Sequence, residues 1–276
     1  MSRAPALRGA LLPAALWPMS TVVRPFVGLR VLLPFAALVA VWWAVKVAGG
    51  MDDRVLASPE QVAVTAWVLT THGILADYAA SSLRMMGIAT LIAVAAGVPL
   101  GFAIGSSRIV ARALEGTLRF LQGISGVAWL PLAIIWFGFS DTTKLSVVVY
   151  TLVVPVIVNT ITGVRAIPQT YVLALRSMGA SPLRIMRDVY LPGALPSIIV
   201  GVRLGMGYGW RALIAAEMLV RRGGLGDLIF GARTFSQIDR IMVGMVVIGT
   251  LYIIVDRLLV QPVEAMTLAR WGVLRA

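Results

Sequence analysis

The sequence predicts an all-α integral membrane protein of about six transmembrane helices, and three observations carry that reading. Of its 276 residues, 59% are hydrophobic and only 13% are charged, with a mean hydropathy of +0.90; a soluble domain carries about a quarter charged residues. Apolar stretches of about 20 residues recur along the chain, each enough to cross a hydrocarbon core about 30 Å thick. The lysines and arginines gather at the ends of those stretches. The net charge of +12 therefore reads as membrane topology rather than as a nucleic-acid surface. With no cysteine there is neither a disulfide framework nor thiolate chemistry, and one histidine, His72, leaves little room for histidine-based catalysis or a metal cluster.

Residues 1–30 hold Arg3, Arg8, Arg24 and Arg30 around a short apolar patch broken by Pro13 and Pro18, which reads as an uncleaved cytoplasmic tail. The first span is 31–50, with Trp42 and Trp43 as an aromatic belt and Lys46 reaching the interface. Residues 51–82 carry Asp52, Asp53, Glu60 and Asp77 and read as an external loop or interfacial helix, with His72 solvated in it. The stretches 85–104, 120–139 and 145–164 contain no charge, and each holds a proline, at Pro99, Pro131 and Pro155, expected as packed kinks. A short basic loop, 106–119, joins the first two. The stretches 197–220 and 241–260 complete the six, leaving a tail over 261–276. Between them lies Gly223-Gly224-Leu225-Gly226, which lacks the following lysine of a phosphate loop and reads as a flexible turn. With the N-terminus inside, the cytoplasmic side receives about twice as many of the 24 lysines and arginines as the outside, so both termini are expected in the cytoplasm.

The stretch 163–196 is the long mid-chain segment that is basic and amphipathic. Pro168 suits the first position of a helix on which Val172, Leu175 and Met178 share a face. Gly179 supplies the stop, Ser181-Pro182 restarts the chain as N-cap and N1, and the second helix is expected to end before Leu191-Pro192. Two short helices joined by a tight turn also suit DNA reading, but membrane-length apolar segments on both sides argue against it.

These residues resemble a known family. Ala174, Arg176-Ser177-Met178-Gly179-Ala180-Ser181 and Leu191-Pro192-Gly193-Ala194-Leu195-Pro196 are similar to the EAA loop of bacterial ABC-importer permeases. The continuation, Gly201-Val202-Arg203-Leu204-Gly205, Gly209-Trp210-Arg211 and Ala216-Glu217-Met218, resembles the nitrate/sulfonate/taurine/bicarbonate branch. The resemblance runs from about Ser81 to the C-terminus. It implies a type I importer permease fold in the bacterial inner membrane, spanning 31–260, with a cytoplasmic coupling loop over 165–196. It further implies a homodimer, two ATP-binding subunits that hold ATP and Mg, and an external substrate-binding protein. Leu173, Ala174, Arg176, Ser177, Met178, Gly179, Ala180 and Ser181 are then the ATPase-coupling residues. Leu173 falls where the family has glutamate, so the contact there is expected to be apolar.

Within the fifth span, Arg203, Trp210 and Glu217 recur every seven residues and share one stripe, while Gly201, Gly205 and Gly209 share nearly the opposite one. The glycines invite close packing. The charged stripe either lines an internal path or reaches water at the two ends of the span. Arg211 lies deeper, off the stripe, and is expected to need a buried partner. Arg203, Trp210, Arg211 and Glu217 are accordingly the candidate pathway residues, with no catalytic or metal residue and no cofactor in this chain. The function expected is ATP-driven import of a small, anionic solute of sulfonate, nitrate or taurine type, with ATP hydrolysis in a separate subunit. The alternative is a self-sufficient secondary transporter or channel, which needs coupling carboxylates or unwound half-helices at mid-membrane. A membrane enzyme lacks an acid pair or a nucleophile–histidine arrangement.

Overall fold

The computed structural model describes residues 25–264, with side chains from residue 33. The expected tails over 1–30 and 261–276 lie mostly outside them, and at their inner edges the chain is already helical. Helix α1, Pro25–Ala48, covers the first expected span and belongs to a unit of its own, 1–50.

The second unit is a bundle of helices. The region read as an external loop or interfacial helix is largely helical: α2 spans Pro59–Thr71 and α3 spans Ile74–Ser106. Ser58 caps α2 with a reciprocal capping box to Gln61, and Pro59 follows at N1. His72 is the exposed C-cap of α2. At 33 residues, α3 is about 50 Å long, so hydropathy marked only the part of it that fits the hydrocarbon.

The third expected span is broken. Helix α4, Arg108–Gln122, takes in the stretch read as a basic loop; a 3-10 turn, Gly126–Trp129, then leads into α5, Leu130–Phe137. The two halves bend by 87°. Ser125 is extended at the break, and Pro131 sits at the start of α5 rather than kinking a continuous span, where its missing N–H costs nothing. Gly126 lies so close to Thr151 Oγ1 that a Cβ would collide with it, so the broken segment is held tightly against the next helix.

Helix α6, Asp141–Ala166, is the central element. Helix α7, Gln169–Ser177, and α8, Pro182–Ile185, form the two-helix loop, and α9 runs over Leu191–Val220. α10 spans Leu225–Thr234 and α11 spans Ile238–Val255, continuing through a π turn, Asp256–Val260, to Glu264. The stretch after Gly223 that read as a flexible turn therefore contains a helix. Among the described residues four helices are long and apolar enough to cross a membrane, or five if the bent pair is one span.

Glycines set the packing. Gly97, Gly101 and Gly105 on α3 meet Val156, Thr160 and Val164 of α6, while on α9 Gly201 meets Asn159 and Pro155, and Gly205 and Gly209 meet Leu152. At Gly201 an added Cβ would lie 2.7 Å from Asn159 Cβ and 3.0 Å from the Pro155 carbonyl. Such approaches are how helices associate in lipid, where apolar burial gives little drive. Met86, Ala89 and Ala93 of α3, Val148 and Leu152 of α6, and Trp210 and Leu213 of α9 close into one core.

Candidate functional site

The two-helix loop begins where α6 ends. Pro168 is the N-cap of α7, one position before the expected N1, because its φ/ψ of −59°/129° is extended. α7 closes in a Schellman turn: Gly179 N–H donates to the Arg176 carbonyl and Ala180 N–H to the Leu175 carbonyl, both at 3.0 Å. Gly179 sits at φ +75°, the left-handed region a side chain resists. Ser181 then caps α8, its Oγ accepting from Arg184 N–H, with Pro182 at N1. Val172 and Ile185 are buried and anchor the loop. Leu173, Met178 and Leu183 are exposed, Met178 by 80%, so the tip presents unpartnered apolar surface beside Arg176 and Arg184. Ala174, Ser177 and Ser181 are exposed with them.

The second loop helix does not stop before Leu191-Pro192. A π turn over Met186–Tyr190 joins α8 to α9, and Pro182–Val220 forms one helical rod of 39 residues. Leu191 N–H donates to the Met186 carbonyl, five residues back. The wider turn admits Pro192 at the start of α9, where no donor is required. At the base of the loop Arg165 pairs with Glu115 of α4.

Along α9 the stripe of Arg203, Trp210 and Glu217 exists, but it turns inward. Arg203 donates to both oxygens of Asp256 at 3.2 Å and to Glu264 at 2.5 Å. Trp210 is 5% exposed, packed with Met86 and Leu152 and with the Tyr252 ring at a centroid distance of 6.4 Å. Glu217 is fully buried; its oxygens accept from Ser82 Oγ at 2.8 and 3.0 Å and from Gly226 N–H at 3.0 Å. Ser82 Oγ in turn accepts from Leu225 N–H at 2.9 Å. Gly224, at φ +99°, passes so close to the Glu217 carboxylate that a side chain there would collide with it. The glycine segment that resembled nothing catalytic is thus wrapped around a carboxylate. Beside it Lys144 is buried, donating to the Arg222 carbonyl at 3.0 Å and pairing with Asp141 at 2.7 Å.

The expectation that Trp210 and Glu217 face an open space is therefore corrected: partners distant in sequence surround them. Arg211 reverses the other way. It was expected in a buried pair, yet it is exposed, its guanidinium 5.7 Å from the Tyr208 ring centroid, at the wall of a cavity between α6, α9 and the break after α4. Leu204, Tyr208 and the α6 residues Thr151 and Asn159 share that wall. The charge pattern did not mark these positions because they are uncharged; Leu204 and Tyr208 lie between the two stripes of α9, and Thr151 and Asn159 belong to a different helix.

Residues 97–261 match the family described as binding-protein-dependent transport system inner membrane component. The chain belongs to that family. It is 32% identical over 247 residues to the taurine transport system permease protein TauC of Escherichia coli strain K12, covering 87% of each chain. It is 36% identical over 227 residues to the putative aliphatic sulfonates transport permease protein SsuC of the same organism, covering 78% of this chain and 81% of that one. The nitrate import permease protein NrtB of Synechocystis is 30% identical over 246 residues, with 86% of each covered. The fold is similar to that of the methionine ABC transporter MetNI in inward-facing conformations, with a TM-score of 0.52 at 19% identity, covering 70% of this chain and 98% of that one. The chain is thus a permease of an ABC importer with the type I permease fold, a membrane protein whose family works with a separate ATPase subunit and a substrate-binding protein.

Proposed function

We propose that two copies of this permease form the pathway for a small anionic solute across the bacterial inner membrane. Two ATP-binding subunits dock on the loops over 165–196, an external binding protein delivers the solute, and both termini face the cytoplasm. ATP and Mg belong to the partner subunits, and this chain hydrolyses nothing. The carrying observation is the continuous rod Pro182–Val220. One end of it is the exposed apolar loop tip and the other lies about 58 Å away, past every charged position of α9. A displacement at the tip is transmitted along a rod instead of being absorbed at a hinge. Leu173, in place of a glutamate, leaves the tip apolar, which suits desolvated docking with no salt bridge at that position. The solute class is supported by the relatives named for taurine, aliphatic sulfonates and nitrate and by the open face of Arg211. A secondary transporter is less well supported, since the acids it would use, Glu217 and Asp256, are both engaged by internal partners.

Gly179→Val tests the coupling. Nothing lies within 4 Å of an added Cβ there, so the cost is confined to φ +75°, about 1–3 kcal/mol for a β-branched residue. The protein should insert and purify normally, while ATP-driven uptake by the assembled transporter falls at least about tenfold, equivalent to about 1.4 kcal/mol. Unchanged uptake together with normal ATPase co-purification would remove the loop from the coupling path.

A further inference from the structure

Three charged side chains lie within α9, and two of them are satisfied inside the chain. Arg203 has Asp256 and Glu264; Glu217 has Ser82 and the Gly226 N–H. Arg211 differs: among the described residues no carboxylate pairs with it, and the Tyr208 ring supports it from the side. A charge at membrane depth persists where it faces a partner or a watery path. What Arg211 faces is a cavity of about 510 Å³, within the size range of small-molecule sites.

The walls define what would fit. Asn159 spends one amide N–H on the Pro155 carbonyl, and an amide carries two. Thr151 donates its hydroxyl to the Val147 carbonyl, so it offers the cavity no free donor. Leu204 and Val158 stand for the rest of the lining, which is mostly aliphatic and contains no aspartate or glutamate. A guanidinium presents paired N–H donors that match two oxygens of a planar or tetrahedral oxyanion head. The ring under it holds that fork in place.

We propose that this cavity is a transit site for a small organic monoanion, with Arg211 gripping the oxyanion head and the aliphatic wall taking a short alkyl body, the chemistry of an alkanesulfonate. The assignment rests on the importer reading above and narrows it. One cation suits one negative charge, so a dianion would leave half its charge uncompensated. An ammonium at the far end, as in an aminosulfonate, would enter a wall with no acid to receive it. A bare inorganic anion would gain the guanidinium but not the apolar contact.

Two readouts test it. In the first, the complete transporter, with its ATPase and binding protein, is reconstituted in liposomes and ATP-driven uptake of radiolabelled butanesulfonate is followed. Arg211→Gln should lower uptake at least about tenfold, and Arg211→Lys should retain more than Arg211→Gln, since a point charge keeps attraction but loses the fork. The second needs no binding protein. Asn159→Cys, in a chain that has no cysteine of its own, is labelled with a water-soluble thiol reagent in the permease–ATPase complex. Butanesulfonate should slow labelling at least about fivefold, butylammonium should not slow it, and taurine should need about tenfold more for the same protection. No protection by butanesulfonate, equal protection by butylammonium, or Arg211→Gln uptake within about twofold of the unaltered protein would overturn the proposal. If butanesulfonate protects but the unaltered transporter moves no anion, the importer's anion reading and the transit role both fail, and the cavity is an anion-binding site alone. If anions are moved and nothing protects, the site fails and the importer reading stands.

Discussion

Glu217→Ala is expected to destabilise the folded chain by about 4 kcal/mol. The Glu217 side chain is fully buried and is the acceptor on which three elements converge. The Ser82 hydroxyl of α3 divides itself between the two carboxylate oxygens, and Gly226 N–H, in the first turn of α10, donates to one of them. Leu225 N–H reaches the same cluster through Ser82 Oγ. Removing the carboxylate leaves two buried donors without an acceptor, at about 1–3 kcal/mol each, and a void where the side chain was. Glu217→Gln keeps the volume and one acceptor oxygen, so about half the loss is expected. For a chain of this size about 4 kcal/mol corresponds to a fall of about 10 °C in Tm, readable by thermal unfolding of the detergent-solubilised protein. An alanine variant that melts within about 2 °C of the unaltered protein would show that the cluster does not hold α10 in place.

That cluster also shows where the sequence stops being legible. The heptad spacing of Arg203, Trp210 and Glu217 identified three residues on one face of a helix, because helical geometry is local. Which way the face points depends on Ser82, Gly226, Asp256 and Glu264, between 9 and 135 residues away, and nothing local encodes those meetings. The inference that charge in a span seeks a cavity therefore failed where internal partners existed, while Arg211, expected in a buried pair, lines a cavity and has no carboxylate partner among the described residues. Helix ends followed a similar rule. Ser181, Pro182 and Gly179 were readable because capping is a matter of a few adjacent residues. The fusion of α8 to α9 was not, because a π turn leaves no residue signature and Leu191-Pro192 looks like a stop. The break at Gly123–Ser125 was hidden for another reason: the hydropathy of 120–139 is uninterrupted, and the bend is fixed by Gly126 fitting against Thr151 of a different helix.

Gly101→Val is expected to have an effect comparable to the loss of the Glu217 carboxylate, through sterics in place of hydrogen bonding. The glycines of α9 were visible as a stripe from the sequence; those of α3, Gly97, Gly101 and Gly105, have the same spacing and grip the other side of α6. At Gly101 the first added carbon would lie 2.5 Å from Thr160 Cβ and 2.9 Å from the Ile157 carbonyl oxygen. The first is the fixed end of a side chain and the second is backbone, so neither can rotate away, and two further methyls demand more room. α3 and α6 must separate, which also loosens the core of Met86, Ala89, Val148 and Leu152. Overpacking costs about 1–3 kcal/mol, and more where backbone must move; at least about 3 kcal/mol is expected here. Gly87 provides the comparison in the same helix, because nothing lies within 4 Å of a Cβ built there. Gly87→Ala should be neutral or stabilising by up to about 1 kcal/mol through helix propensity. Thermal unfolding of both variants in one detergent separates steric from propensity effects. If Gly101→Val and Gly87→Ala melt alike, α3 and α6 are not held at the separation these glycines require.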